Sequence, residues 1–497
     1  FTPMLYTSLT TAVGFASLAL VPIPPVQVFG IFVSLGVVLA FLLSISFIPA
    51  YVMLIPKEKF ASLAAAGKQG KSDSVDGSGG WLQRTRQFTL RRSRVIIGVT
   101  LAMVLLCLFG VQRIVVNDNP VRWFADEHPI RVADEVLNEH FAGTYMAYLA
   151  LEATDTENEP QAIVERLQGW LQEVSVSSPQ YSSLAEDFIN QARERLPGSP
   201  SATDLLQALQ TQAEDAIDTG PEEHIEFWEE VQIVVEEEQQ QRQHFKNPEV
   251  LAYISDLQEV LAATGIVGKS ISVADYSKTV YRELLGGNSE DYRIPETAQG
   301  VAQTYLTTQS GHRPQDLWRF VTPDYRKSSI WVLLNSGDNV DMSRVVEAVE
   351  TYMHDNPPPV ALSPGWFGLT YINVVWQEKM VSGMIDSIAS GYLAVLVLMI
   401  FLLRSTLWGL LAMVPLTCTM LVIYGVLGLV GKPYDMPVAV LSSLSIGLAV
   451  DFTIHVLVRI RHVVSQTGSW QRAMELMFAE PVRAILRNML VVAVGFL

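Results

Sequence analysis

Cysteine is scarce: two in 497 residues, Cys107 and Cys418. Both sit within long apolar runs, where a thiol behaves as a small hydrophobe, so a disulfide framework is not expected. The eight histidines are scattered without metal-ligand spacing, and neither a metal nor a cofactor is expected. No Gly-flanked serine elbow or catalytic-cysteine signature is present, which argues against an enzyme. A nucleotide engine is missing too. Gly431-Lys432 is followed by Pro433 and lacks both the inner glycine and the Ser or Thr of a phosphate-binding loop. Positive charge is in the minority, 34 Lys and Arg against 51 Asp and Glu, a formal net charge of -17. Because the charges are unevenly placed, that sum describes no single surface, and nucleic acid is not an expected partner.

What the chain does have is apolar length. Hydrophobic residues make up 49% of it, too many for an ordinary soluble protein, yet the charges are too many for membrane helices alone. A membrane helix needs about 20 mostly apolar residues to cross roughly 30 Å of hydrocarbon. Six stretches approach or meet that requirement: Leu5 to Val21, Val26 to Ile55, Val95 to Val111, Ile385 to Leu403, Leu407 to Val430 and Val438 to Ile460. A seventh starts at Ile485. The chain begins with Phe1 and ends inside this last run, and it is expected to be a fragment truncated at both ends.

Basic residues orient these spans. Lys57, Lys59, Lys68, Lys71, Arg84, Arg86, Arg91, Arg92 and Arg94 place the linker 56–94 in the cytoplasm, and its GKQGKSDSVDGSGG core reads as a flexible tether. Counting outward then puts 1–55 (two membrane helices), the helix 95–111 and the helices of 385–497 in the membrane, and 112–384 outside. The loop carrying Arg459, Arg461, Arg472, Arg483 and Arg487 returns to the cytoplasm, an independent check on that count. The expected localisation is a bacterial inner membrane.

The outer region mixes strands, at Tyr145 to Glu152 and Ile330 to Asn335, with helices at Pro160 to Val174, Pro248 to Ala263 and Met342 to Met353. Such alternation predicts α/β layers. Within it, roughly 179–245 is acidic and Gln-rich, with helical spacing but few core positions, and it reads as a helical insertion with a solvated face.

The two ends of the chain resemble each other. Leu5 to Phe15, LYTSLTTAVGF, and Leu486 to Phe496, LRNMLVVAVGF, share Leu, Leu and Ala-Val-Gly-Phe in register. Both segments run outward, which predicts a parallel internal repeat, an arrangement that places transport sites at the repeat interface.

Chemistry concentrates in the helix from Val438 to Ile460. Asp451 lies near its middle, too deep for its short stem to reach either surface, so it should face a partner helix or a water-filled cavity. Desolvation disfavours the charged form of any acid, and an acid poised between its two forms is what a proton relay needs. Gly447, Asp451 and His455 recur at a spacing of four and share a face. The glycine allows close helix approach, and the imidazole can exchange or stabilise a proton. A hydrogen-bonding role without titration is the alternative for both, and it weighs more for His455. Thr10, Thr11 and Asn488 are further polar positions in the repeated helices, although Ser and Thr there usually bond back to the preceding turn.

The run GLAVDFTIHVLVRIRH resembles the central relay helix of the second half of resistance-nodulation-division transporters, especially the branch of mycobacterial large membrane proteins and hopanoid exporters. TPMLYTSLTTAVGFASL through FGIFVSLGVVLAFLLSISFIPA resembles the last two helices of that family's first half, and NPVRWFADEHPIRVADEVLNEHFAGT the start of its second porter domain. The resemblance covers nearly the whole chain except the acidic insertion. It implies an α-helical polytopic membrane protein whose outer region forms two ferredoxin-like porter subdomains. It implies export of hydrophobic or amphiphilic molecules, chiefly lipids, driven by protons through Asp451. That branch commonly carries a tyrosine directly after this aspartate. Phe452 stands here, which removes a hydroxyl and leaves the relay to His455 or water. A Patched-like, sterol-sensing lipid receptor shares the helix arrangement and is the alternative. A protein-translocation accessory of the same superfamily is disfavoured by the size of the outer region. Periplasmic partners or a homo-oligomer remain open.

Overall fold

The computed structural model describes residues 2–54, 84, 87–89, 91–154, 159–198, 201–469 and 481–495. Most of the linker 56–94 lies outside these residues, as does 470–480 of the second basic loop. The chain divides into two compact units: Phe1–Asn119 with Val375–Leu497, here the membrane unit, and Pro120–Val374, here the sheet unit.

The membrane unit opens with α1 (Thr2–Ala16), which tightens into a 3-10 turn over Ser17–Leu20. Helix α2 (Pro24–Met53) starts on two prolines, whose fixed φ and missing N–H suit a first helical turn. Helix α3 (Ser93–Val111) closes this part of the unit.

The sheet unit begins with α4 (Pro129–His140) and the strand β1 (Tyr145–Ala153). Four helices follow, α5 (Glu159–Ser177), α6 (Ser182–Arg195), α7 (Ala202–Thr219) and α8 (Ile225–Gln241). Then come α9 (Pro248–Ala263), β2 (Val267–Ile271), α10 (Val273–Leu284), α11 (Ala298–Gln309), β3 (Lys327–Leu334), α12 (Asn339–Asp355) and β4 (Leu362–Phe367). The strands form one antiparallel sheet in the order β2-β3-β1-β4, the split βαβ arrangement of ferredoxin-like folds. Alternation on β1 and β3 buries Ala147, Leu149, Leu151, Ile330, Val332 and Leu334, which share a core with Ile254 and Leu257 of α9 and Val345 and Val349 of α12.

Two expectations are corrected here. The described residues contain a single four-stranded sheet, not two ferredoxin-like subdomains. The acidic segment, expected to have few core positions, contributes with α5 to a dense core of its own: Leu167, Phe188, Leu205, Leu209, Phe227, Val231 and Val235 are all buried. Its apolar positions are spaced for burial between helices while its carboxylates, Glu238 excepted, stay outside, so high acidity and a full core coexist. Arg166 and Glu238 close one side of this bundle in a bidentate pair of 2.9 and 2.6 Å.

The chain returns to the membrane unit through α13 (Leu369–Leu403), α14 (Thr406–Val430), α15 (Met436–Thr467) and α16 (Pro481–Gly495). Among the described residues, α2, α3, α13 and α14 are long and apolar enough to cross a membrane. This is a predominantly helical membrane protein, with a small sheet among its described residues. Helix α13 starts at Leu369, well before the apolar run at Ile385, because helical structure does not end where hydrophobicity does. Helices α3 and α14 pack through glycines. A Cβ on Gly425 would enter Cys107, and one on Gly428 would enter the carbonyl of Gly110, a small-residue contact that lets two membrane helices touch backbone to backbone.

Candidate functional site

The site forms where α1 crosses α15. Gly14 of α1 meets Gly447 of α15: a Cβ added at Gly14 would stand 3.2 Å from the Gly447 Cα. With no side chain between them, the helices come close enough for the next polar residues to meet. One turn along each helix, the Thr11 hydroxyl donates to both carboxylate oxygens of Asp451, at 3.3 Å each. Thr11 is 8% exposed and Thr10 fully buried, so this contact is shielded from solvent. Asp451 is the fifteenth residue after Met436 in a helix ending at Thr467, which places it at mid-helix.

The two threonines divide their roles. Thr10 bonds back, donating to the carbonyls of Tyr6 and Thr7 at 2.9 Å, the usual habit of a hydroxyl in a membrane helix. Thr11 reaches across, and Thr10 stands close to the acid beside it. The hydroxyl that Phe452 lacks is therefore available to Asp451 from a different helix. His455 is half-buried one turn further along α15 and makes no hydrogen bond among the described residues; it is not joined to Asp451. Asn488 lies in α16, and its side chain is outside the described residues.

Polar contacts continue along α1. Ser17 donates to the Gly14 carbonyl at 2.8 Å and lies 3.3 Å from Ser387 of α13. Ser34 of α2 donates to the Ala12 carbonyl at 2.8 Å, and the Tyr6 hydroxyl donates to the Leu402 carbonyl at 3.2 Å. Helix α1 is thus held on three sides by groups that are satisfied inside the bundle, as a low-dielectric interior demands. Ser387 is a participant the sequence reading missed. Its signal was present as the small-residue spacing Gly383, Ser387, Gly391, all three buried, which marks a close-packing face. A Cβ at Gly391 would stand 2.7 Å from Ser17 Oγ.

Chemically, a carboxyl opposite a hydroxyl has two stable arrangements. An ionised Asp451 accepts from Thr11, and a protonated Asp451 can donate to it, because a hydroxyl serves in either sense. Adding a proton therefore rewires the α1–α15 contact without requiring a second charge. Among the described residues no group of three His, Cys, Asp or Glu is arranged to hold a metal ion.

No family model matches the chain. A membrane protein of Methanocaldococcus jannaschii is 23% identical to it over 180 residues, 36% of this chain and 46% of that protein. Among solved structures, the hedgehog release protein Disp of the water bear Hypsibius dujardini aligns with a TM-score of 0.47 at 13% identity, over 96% of this chain and 51% of that chain. The chain spans about half the length of each of these two proteins.

Proposed function

We propose that this protein is a proton-driven exporter of hydrophobic or amphiphilic molecules, lipids foremost, of the resistance-nodulation-division type and resident in a bacterial inner membrane. The observation that carries the reading is the crossing of α1 and α15, where a mid-helix carboxyl and a threonine hydroxyl meet at a glycine-lined contact. An ionisable group at that depth costs at least a few kcal/mol and is retained for transport, relay or sensing rather than for stability. Asp451 takes up a proton from one side, its contact with Thr11 changes sense, and α15 shifts against α1. Release to the other side resets the pair. The sheet unit, ferredoxin-like in strand order, receives and passes the substrate.

The test compares the lipids of the inner and outer membranes of cells carrying the full-length protein or its Asp451→Asn form. Asparagine keeps the shape and a hydrogen-bonding oxygen but cannot titrate. Accumulation of one lipid class in the inner membrane of the mutant supports proton-driven lipid export. Identical profiles, with both proteins inserted equally, refute it and favour a small-solute exporter or a Patched-like lipid receptor.

A further inference from the structure

The chain passes between the membrane unit and the sheet unit twice, after Asn119 and before Val375. The membrane-side ends of both passages meet at one residue. The backbone N–H of Asp118 donates to Oε1 of Gln377 at 2.8 Å, tying the stretch that leaves α3 to the first membrane-unit turns of α13. The carboxylate of Asp118 turns the other way, where Oδ1 accepts from the N–H of Met436 at 3.5 Å. Met436 is the first residue of α15. Beside it, Asp435 caps the same helix by accepting from Val438 N–H at 3.0 Å, and Lys432 Nζ lies 3.3 Å from its other oxygen. Two carboxylates thus sit at the N-terminus of the helix that carries Asp451, where free N–H groups and the helix dipole favour negative charge.

The backbone reinforces this joint. Val116 pairs with Tyr434 in a parallel bridge, and Tyr434 N–H donates to the Val115 carbonyl at 2.9 Å. The turn that delivers Tyr434 starts at Gly431, whose φ of 74° is left-handed and suited to glycine. Asp118 is 1% exposed and Tyr434 8%, so the joint is packed rather than draped over the surface.

We propose that Asp118 is the positioning residue through which a displacement of α15 reaches the sheet unit, an inference that rests on the proton-driven reading above. Asp451 lies fifteen residues from Met436, about 22 Å of helix at 1.5 Å per residue. A helix of that length moves as a rod, so a shift at the α1 crossing is delivered to its N-terminus. Asp118 is attached there, and both passages to the sheet unit are attached to Asp118.

Hydrogen–deuterium exchange on the full-length protein in lipid nanodiscs tests this without any substrate. Asp451→Asn mimics the protonated acid and should change deuterium uptake at least about two-fold in peptides 120–128 and 362–368, which flank the two passages. In an Asp118→Ala background the same change should vanish, and Asp118→Asn, which keeps an oxygen acceptor, should restore it. Should Asp118→Ala fail to insert, Gln377→Leu cuts one tie and leaves the cap, so it should abolish the response at 362–368 and spare that at 120–128. A response that survives both Asp118→Ala and Gln377→Leu overturns the joint and leaves the exporter reading standing. No response to Asp451→Asn with Asp118 intact overturns the relay reading and the joint together.

Discussion

Gly14 and Gly447 face each other across the candidate site, yet the structure predicts that only one of them resists a methyl group. A Cβ at Gly14 would lie 3.2 Å from the Cα and 3.3 Å from the N of Gly447. Those are backbone atoms that cannot rotate aside, so α1 and α15 must part by a few tenths of an ångström. The Thr11 contacts to Asp451 already measure 3.3 Å, close to the length at which a hydroxyl–carboxylate hydrogen bond ceases to exist. The same separation therefore breaks them. A Cβ at Gly447 would instead lie 3.4 Å from the Thr11 Cα and 3.6 Å from its Cγ2, ordinary contact that needs no movement. A hydrogen bond between membrane helices contributes roughly 0.6–2 kcal/mol, which corresponds to about a 3- to 30-fold loss of rate if it acts on the relay step. Gly14→Ala and Thr11→Val should each show a loss in that range, and Gly447→Ala should stay within about two-fold of the parent. The assay is the initial rate of pH-gradient collapse in proteoliposomes, read with an entrapped pH dye. Because Gly14→Ala and Thr11→Val remove one and the same contact, the double variant should cost no more than the worse single. Equal damage from the two glycine variants, or full additivity in the double, would refute the reasoning.

Other parts of the molecule give further tests. Arg166→Ala deprives the buried Glu238 of its guanidinium; since Arg166 itself is half exposed, the cost should be about 1–3 kcal/mol rather than that of a fully buried pair, read as faster hydrogen exchange across 182–241. Unchanged exchange there would refute it. In the sheet unit, burial pushes the Tyr253 phenol up from 10.0 to about 12 and raises Tyr305 as well, while each donates to a backbone carbonyl, of Asn356 and Phe245 respectively. The unfolded chain ionises first, so their contribution to stability is complete below pH 10 and is lost as pH rises through the folded values. The denaturant midpoint of the sheet unit should fall between pH 9 and pH 11 and fall less in Tyr305→Phe; equal midpoints at both pH values would contradict this. Cys107 is buried and unbridged against Gly425, so in a Cys418→Ser background it should resist N-ethylmaleimide, and Gly425→Leu, by prising α3 from α14, should make it reactive. Rapid labelling of the parent would show that the two helices do not pack as described.

How far the sequence could be read depends on whether a residue's role lies in its own segment or in a neighbour. Asp451 was legible because a carboxylate in the middle of an apolar run is anomalous by itself, and α9, Pro248–Ala263, was legible because Asn247 and the proline at its start mark it locally. Strands β1 and β3 were legible because each carries a short run of apolar and aromatic residues, as strands interior to a sheet do. Strands β2 and β4 were missed for the complementary reason. They are the two edges, and an edge tolerates Gly268 and Lys269, or Pro364 and Gly365, because half of its backbone has no ladder to satisfy. The pairing of Thr11 with Asp451 spans 440 residues of sequence, and nothing local to either residue announces it. Thr10 and Thr11 are adjacent and chemically identical, so only the rotation of α1 about its axis decides which one donates chiefly to its own helix and which one makes the closer contact with the acid. That rotation is set by Gly14 against Gly447 and by Ser17 against Ser387 and Gly391. The identity of the acid's partner is thus decided by small residues one and two turns away. Moving the small residue, by Gly14→Ala, should therefore disturb the acid as much as removing the threonine itself.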